Sequence, residues 1–227
     1  MIQLVIGNKL YSSWSMRPWL LLKAFDIPFE EIVIPLYRDG SRERIQEHSP
    51  TGKVPCLIDG VTVWDSLSIM EYLAETYPGL DIWPREKGAR AHARSAAAEM
   101  HSGFQALRQS CPMNLGKRFA VKDRGPNVTA DVVRVCGLWA EARSRFARGG
   151  PFLYGAFSAA DAMYAPVVTR LDTYQIAVDA GARAYMDAVL KHPAFVAWRD
   201  AALNEPWDLL HYEEGETPTE IFRRSQS

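Results

Sequence analysis

Apolar residues open the chain as a block, Ile2 through Ile6 with only Gln3 polar, and Gly7 ends it. A run this short and apolar predicts a strand. A longer period follows at Trp19, Leu20, Leu22, Ala24 and Phe25, the spacing of a helix, with Pro18 expected in its first turn. A strand at 31–35 and a short polar helix at 41–48 come next. Val54-Pro55 then leads into Cys56-Leu57-Ile58, an Asp59-Gly60 turn, and Val61-Thr62-Val63-Trp64. Asp-Gly between two extended runs is a hairpin signal. Apolar positions 67, 69, 70 and 73 predict a helix with Asp65 or Ser66 as N-cap, and Ser68 with Glu71 as a capping box one turn later.

From Tyr77 to Pro84 the sequence is rich in chain breakers, and after it the pattern is helical throughout. Helices are expected at 88–110, 128–148, 158–174, 180–191 and 193–203, with Ala96, Met100, Phe104 and Leu107 on one face of the first. Pro166 should kink or break the third of these. The tail from Glu213 is polar and reads as loose. The fold class is therefore an α/β part followed by an all-α part, divided into 1–80, a linker at 81–87, and 88–227.

Composition narrows the function classes. A chain of 227 residues with 48% apolar content can bury a full core, and a net charge of −1 gives no electrostatic case for nucleic acid or an anionic membrane. No apolar run approaches the ~20 residues of a membrane span, and the N-terminus reads as a strand rather than a secretory signal. Three scattered cysteines without CxxC suit a reduced compartment, and five histidines form no ligand set, so no metal is expected.

The chemistry gathers at three places. A proline cannot donate to a sheet ladder, so Pro55 at the mouth of a strand is an edge feature or a cis turn that leaves the Val54 backbone free to pair with an extended peptide. The helix beginning near Ser66 offers unpaired N–H groups to a carboxylate, and Asp65 beside it could take an ammonium. Ser12, Ser13 and Ser15 lie at a strand-to-helix turn, where a thiolate is stabilised. A small peptide-like ligand fits these features.

In order and spacing, Ser12-Ser13-Trp14-Ser15-Met16-Arg17, Gly52-Lys53-Val54-Pro55 and Asp65-Ser66 resemble the cytosolic glutathione transferases, nearest the serine-type zeta and theta-like classes. Ser158-Ala159-Ala160-Asp161 is similar to the capping box that opens a core helix of that family's second domain. The resemblance implies a thioredoxin-like domain followed by a helical bundle domain, a homodimer in the cytoplasm, and glutathione as co-substrate without metal. It implies glutathione contacts from Lys53 (glycyl carboxylate), Val54 and Pro55 (cysteinyl backbone), Asp65 (amine) and Ser66 (γ-glutamyl carboxylate). The thiol would meet Ser12 or Ser13, with Tyr11 as a third candidate hydroxyl. Trp14, Met100, Phe104, Arg108 and Met113 are expected around a second substrate, a small and mostly apolar electrophile. Conjugation is the default reaction, with peroxide reduction and isomerisation as variants. Trp14 stands where zeta-like members carry cysteine, and Asp65 where they carry glutamine, which sets the isomerase activity of that class in question. The rival reading is a non-catalytic binding protein on the same scaffold.

Overall fold

The computed structural model describes residues 1–223. Its first part is a four-stranded sheet in the order β2-β1-β3-β4, built from β1 (Ile2–Ile6), β2 (Phe29–Val33), β3 (Cys56–Ile58) and β4 (Thr62–Trp64). β2 runs parallel to β1, which requires the crossover helix α1 (Ser13–Ala24), whereas β3 and β4 are antiparallel and joined by the Asp59-Gly60 turn. Alternation along β1 splits the core: Leu4 and Ile6 join the large cluster, and Val5 joins a small one with Ile34, Ile45 and Cys56 beneath α2 (Ser41–Gln46). α3 (Ser66–Thr76) follows the hairpin and packs on α1.

The second part contains α4 (Lys87–Ser102), α5 (Gln105–Ser110), α6 (Pro126–Phe146), α7 (Ala159–Thr173), α8 (Ala180–Leu190) and α9 (Pro193–Leu203). α7 is its axis, buried at every position except Asp172 and packed against both α1 and α4. The large hydrophobic cluster therefore runs without a break from β1 and α1 into the helical part. The capping box at the start of α7 is present, with Asp161 accepting from the Ser158 amide at 2.9 Å and Ser158 taking the N3 amide.

Four expectations are corrected. α1 begins at Ser13, so Pro18 lies inside it, because Ser12 already serves as N-cap and accepts the Met16 amide at 3.1 Å. α3 begins at Ser66 because Asp65 accepts from the Leu67 amide at 2.8 Å, and Glu71 pairs with Arg94 of α4 instead of closing a Ser68 box. The helix expected over 88–110 breaks: Gly103 is extended and Phe104 takes φ 58°, a turn that brings Gly103 so near the Glu99 carbonyl that a Cβ would lie 2.8 Å from it. Pro166 neither kinks α7 into two elements nor ends it.

As far as Arg223 the tail is also ordered rather than loose, and its last four positions, 224–227, lie outside the described residues. β5 (Lys117–Phe119) pairs antiparallel with β6 (Pro218–Ile221), and a 3₁₀ turn at Leu210–Glu213 precedes it. Charge fixes this ribbon: Glu216 pairs with Lys122 and with Arg124 at 2.9 Å, Glu220 with Arg118, and Glu213 with Lys117.

Candidate functional site

The loop between β1 and α1 is set by contacts from far along the chain. Gly7 passes so close to Leu36 that a Cβ would lie 2.6 Å from its side chain, and Asn8 Oδ1 accepts from the Leu36 amide at 2.7 Å. The Glu205 carboxylate accepts from the amides of Lys9 and Leu10 at 2.8 and 3.1 Å, and Trp198 Nε1 donates to the Lys9 carbonyl at 2.9 Å. These bonds present Ser12 and Ser13 at the N-terminus of α1.

The two serines differ in their hydrogen bonds. Ser12 Oγ donates to Ser15 Oγ at 2.7 Å, and Ser15 Oγ also accepts from the Gly7 amide at 3.1 Å. Ser13 Oγ instead accepts from Arg170 Nη2 of α7 at 3.2 Å. Arg170 is buried and further anchored by Nε to the Cys111 carbonyl at 2.9 Å. Burial, reinforced by the charge of Arg108, brings its pKa down to about 10, which still leaves it charged at neutral pH.

A cleft of ≈ 510 Å³ opens beside this loop, lined by Trp14, Thr51, Lys53, Val54, Pro55, Trp64, Asp65, Ser66 and His101. Every glutathione-contact residue expected from the sequence is on its wall. The Val54–Pro55 bond is cis, and the β3 ladder begins only at Cys56, so Val54 lies outside it. Asp65 adopts φ 73°, an uncommon conformation for a residue with a Cβ, at the turn into α3. Its Oδ2 lies 3.1 Å from His101 Nε2 of α4. Burial lowers the His101 pKa more than Asp65 raises it, so the imidazole is neutral at pH 7 and donates this bond. Behind Ser66, Arg17 Nη1 lies 3.5 Å from the Ser66 hydroxyl and Nη2 lies 3.3 Å from Met100 Sδ.

A second cleft of ≈ 370 Å³ adjoins the first and shares Trp14 and His101 with it. Ser12, Ser13, Arg108, Met113 and Arg170 line it, together with Tyr11, Tyr37 and Tyr212. Tyr37 and Tyr212 meet across its mouth with hydroxyl oxygens 3.4 Å apart. Burial pushes the Tyr11 hydroxyl up to about 12, so it stays protonated at neutral pH. Trp14 carries the Arg17 guanidinium 4.0 Å and the Arg108 guanidinium 4.6 Å from its ring centroid.

Met100 and Phe104 depart from their expected place. Both are buried in the core and line neither cleft, because the break after α4 turns Phe104 inward and Arg17 covers Met100. Sequence reasoning missed His101, Tyr37, Arg170 and Tyr212. His101 adjoins the candidate Met100, but its two roles, at Asp65 and at Trp14, depend on the approach of α4 to α3. Two other surface clefts, of ≈ 310 and ≈ 470 Å³, lie away from the serines; of their arginines, Arg118, Arg183, Arg85 and Arg145 pair with carboxylates, whereas among the described residues Arg148 and Arg199 do not. Among the described residues no group of three or more histidines, cysteines and carboxylates could hold a metal, and no helix is long and apolar enough to cross a membrane.

Comparison with known proteins identifies the family and the fold. Residues 11–76 match the glutathione S-transferase N-terminal domain family, and residues 126–201 match the C-terminal domain family. Maleylacetoacetate isomerase from Mus musculus is 40% identical over 99 residues, covering 42% of this chain and 45% of the relative. Glutathione S-transferase Z1 from Arabidopsis thaliana is 36% identical over 105 residues, 43% of this chain and 47% of the relative. The chain thus aligns with less than half the length of these curated relatives. Among solved structures, a Burkholderia glutathione transferase homolog with bound glutathione superposes with a TM-score of 0.67 at 24% identity, over 90% of this chain and 98% of that one. With both domain families matched in order and the two-part fold shared, the chain belongs to the glutathione S-transferase family.

Proposed function

We propose that the protein is a glutathione transferase in which Ser13 activates the thiol. The observation that carries this reading is the Arg170–Ser13 hydrogen bond. A hydroxyl has one proton and two lone pairs. With a lone pair of Ser13 taken by a guanidinium, its proton is available to a sulfur in the adjoining cleft, whereas the Ser12 proton is committed to Ser15. Stabilising a thiolate by about two pKa units takes ~2.7 kcal/mol. One hydrogen bond to a charged acceptor supplies about 1.5–3 kcal/mol, and the N-terminus of α1 adds to it.

In this reading glutathione lies in the larger cleft, with its cysteinyl backbone on Val54, its γ-glutamyl carboxylate on Ser66 and the α3 terminus, its ammonium at Asp65, and its glycyl carboxylate at Lys53. The thiol proton passes to solvent. The sulfur lone pair then forms a bond to an electrophilic carbon in the second cleft, and the displaced electron pair leaves with the leaving group or settles on an acceptor atom of the substrate. The domain division at 81–87, assembly as a homodimer and a cytoplasmic location belong to the same reading; the unpaired Cys56, Cys111 and Cys136 suit a reducing compartment.

The test is the ultraviolet thiolate band of bound glutathione, titrated from about pH 5 to about pH 9 around the free-thiol value. The band should appear about two units below the free thiol in the wild type and in Ser12→Ala, and vanish in Ser13→Ala. Loss in Ser12→Ala alone would move the role to Ser12. Binding without any band would make the protein a non-catalytic binder, and absence of binding would overturn the glutathione reading.

A further inference from the structure

The turn that delivers the two serines is closed from within by one group and held from outside by another. Residues 8–12 read Asn-Lys-Leu-Tyr-Ser, with no glycine or proline to fix the backbone. The Asn8 carbonyl closes the turn, accepting from the Tyr11 amide at 3.2 Å and the Ser12 amide at 2.8 Å. The amides of Lys9 and Leu10, at its crest, have no such acceptor inside it. Glu205 takes both, Oε1 from Lys9 at 2.8 Å and Oε2 from Leu10 at 3.1 Å. The two crest carbonyls are also met from the helical part: Trp198 Nε1 donates to Lys9 at 2.9 Å and the Leu115 amide to Leu10 at 3.3 Å. Lys9 is fixed sideways as well, its ammonium paired with Glu31 of β2.

Glu205 is itself held firmly. It lies just past the end of α9, its amide donates to the Ala202 carbonyl at 3.2 Å, and Pro206 restricts its backbone. It is buried and lines neither cleft, so it touches no ligand and acts only through the turn. The turn passes its orientation on: the Ser13 amide donates to the Tyr11 carbonyl at 3.0 Å, while the Ser13 hydroxyl is held at its far side by Arg170 at 3.2 Å.

We infer that Glu205 is a positioning residue for thiol activation, the group through which the end of α9 aims the Ser13 hydroxyl at the sulfur; the inference rests on the glutathione reading above. Without its carboxylate, two buried donors lose their acceptors and the turn relaxes toward others. A hydrogen bond weakens steeply with misalignment, so the serine-to-sulfur bond suffers first. Lys53, Val54, Pro55, Asp65 and Ser66 belong to other segments and keep their places on the cleft wall. Glu205 therefore governs how far the thiol ionises and leaves the grip on the rest of glutathione alone.

Glu205→Ala and Glu205→Gln test this beside the wild type, with two readouts: the calorimetric affinity for the thioether S-methylglutathione, and the pH midpoint of the thiolate band of bound glutathione. S-methylglutathione should bind all three proteins within about twofold. The midpoint should rise by about one pKa unit in Glu205→Ala, a tenfold loss of thiolate at a pH below both midpoints. Glu205→Gln keeps one acceptor oxygen and should shift it by about half as much; it decides the matter alone if the alanine variant does not fold. Unfolding lowers the amplitude of the band and leaves its midpoint in place. An unmoved midpoint in the folded variants, beside a normal wild-type band, therefore overturns the inference and makes Glu205 merely structural. A wild type that binds no S-methylglutathione, or shows no band, overturns the glutathione reading and this inference together.

Discussion

Arg17 is wholly buried, lacks an ion pair among the described residues, and has an Nε without a hydrogen-bond partner. Replacing a buried charge by an apolar side chain of similar length is often neutral or stabilising. Arg17→Met should therefore leave the thermal midpoint unchanged or raised, yet weaken glutathione binding by about tenfold through the loss of charge behind Ser66. Parallel melting and binding measurements check both halves; a large fall in the midpoint would show Arg17 to be structural. That Lys53, Val54, Pro55, Asp65 and Ser66 share one cleft wall was legible in the sequence because they come in two contiguous runs, Lys53-Val54-Pro55 and Asp65-Ser66. Arg170 was not, because a buried arginine inside a helical pattern has no local signature. Its partner Ser13 lies 157 positions away, and only folding joins them.

Among the elements, α7 depends most on a single group. The Asp161 carboxylate is fully buried and accepts from the Ser158 amide, the Ser158 hydroxyl and the Leu153 amide. Burial outweighs these bonds and raises its pKa to about 6. A raised carboxyl pKa means that the native state holds the proton more tightly than the unfolded chain. Its contribution to stability is full below the unfolded value of about 4 and is lost as pH rises through about 6. The stability advantage of the wild type over Asp161→Asn should thus be greatest near pH 4 and shrink, by on the order of 2–3 kcal/mol, toward pH 7. Denaturant melts at a series of pH values measure it, and a gap that widens with pH would refute the account. The capping box was visible in Ser158-Ala159-Ala160-Asp161 because caps are local chemistry. The break after Ser102 was not foreseen, since apolar periodicity continues through Met100, Phe104 and Leu107; the chain leaves the helix at an extended Gly103, where a Cβ would meet the Glu99 carbonyl, and at Phe104 with φ 58°.

At the scale of the whole molecule, residues from early and late in the helical part, Arg108 and Met113 with Tyr212, line the second cleft together. The ribbon of β5 and β6 could not be read from a polar tail, because its partners lie about a hundred residues upstream: Arg118 for Glu220 and Arg124 for Glu216. Removing residues 214–227 would strand the Arg124 guanidinium, whose side chain is 5% exposed, without its carboxylate. This should cost about 3 kcal/mol and lower the thermal midpoint by on the order of 10 °C, with fast amide exchange across β5. An unaltered midpoint would make the ribbon a passive appendage. The grip of Glu205 on the Lys9 and Leu10 amides has a consequence in time rather than in energy. The serine loop leaves the ribosome ahead of its anchor, because Glu205 follows Leu10 by 195 positions. A growing chain thus displays the residues of its larger cleft well before the serine turn is fastened, and translation itself withholds the finished arrangement until Glu205 has emerged.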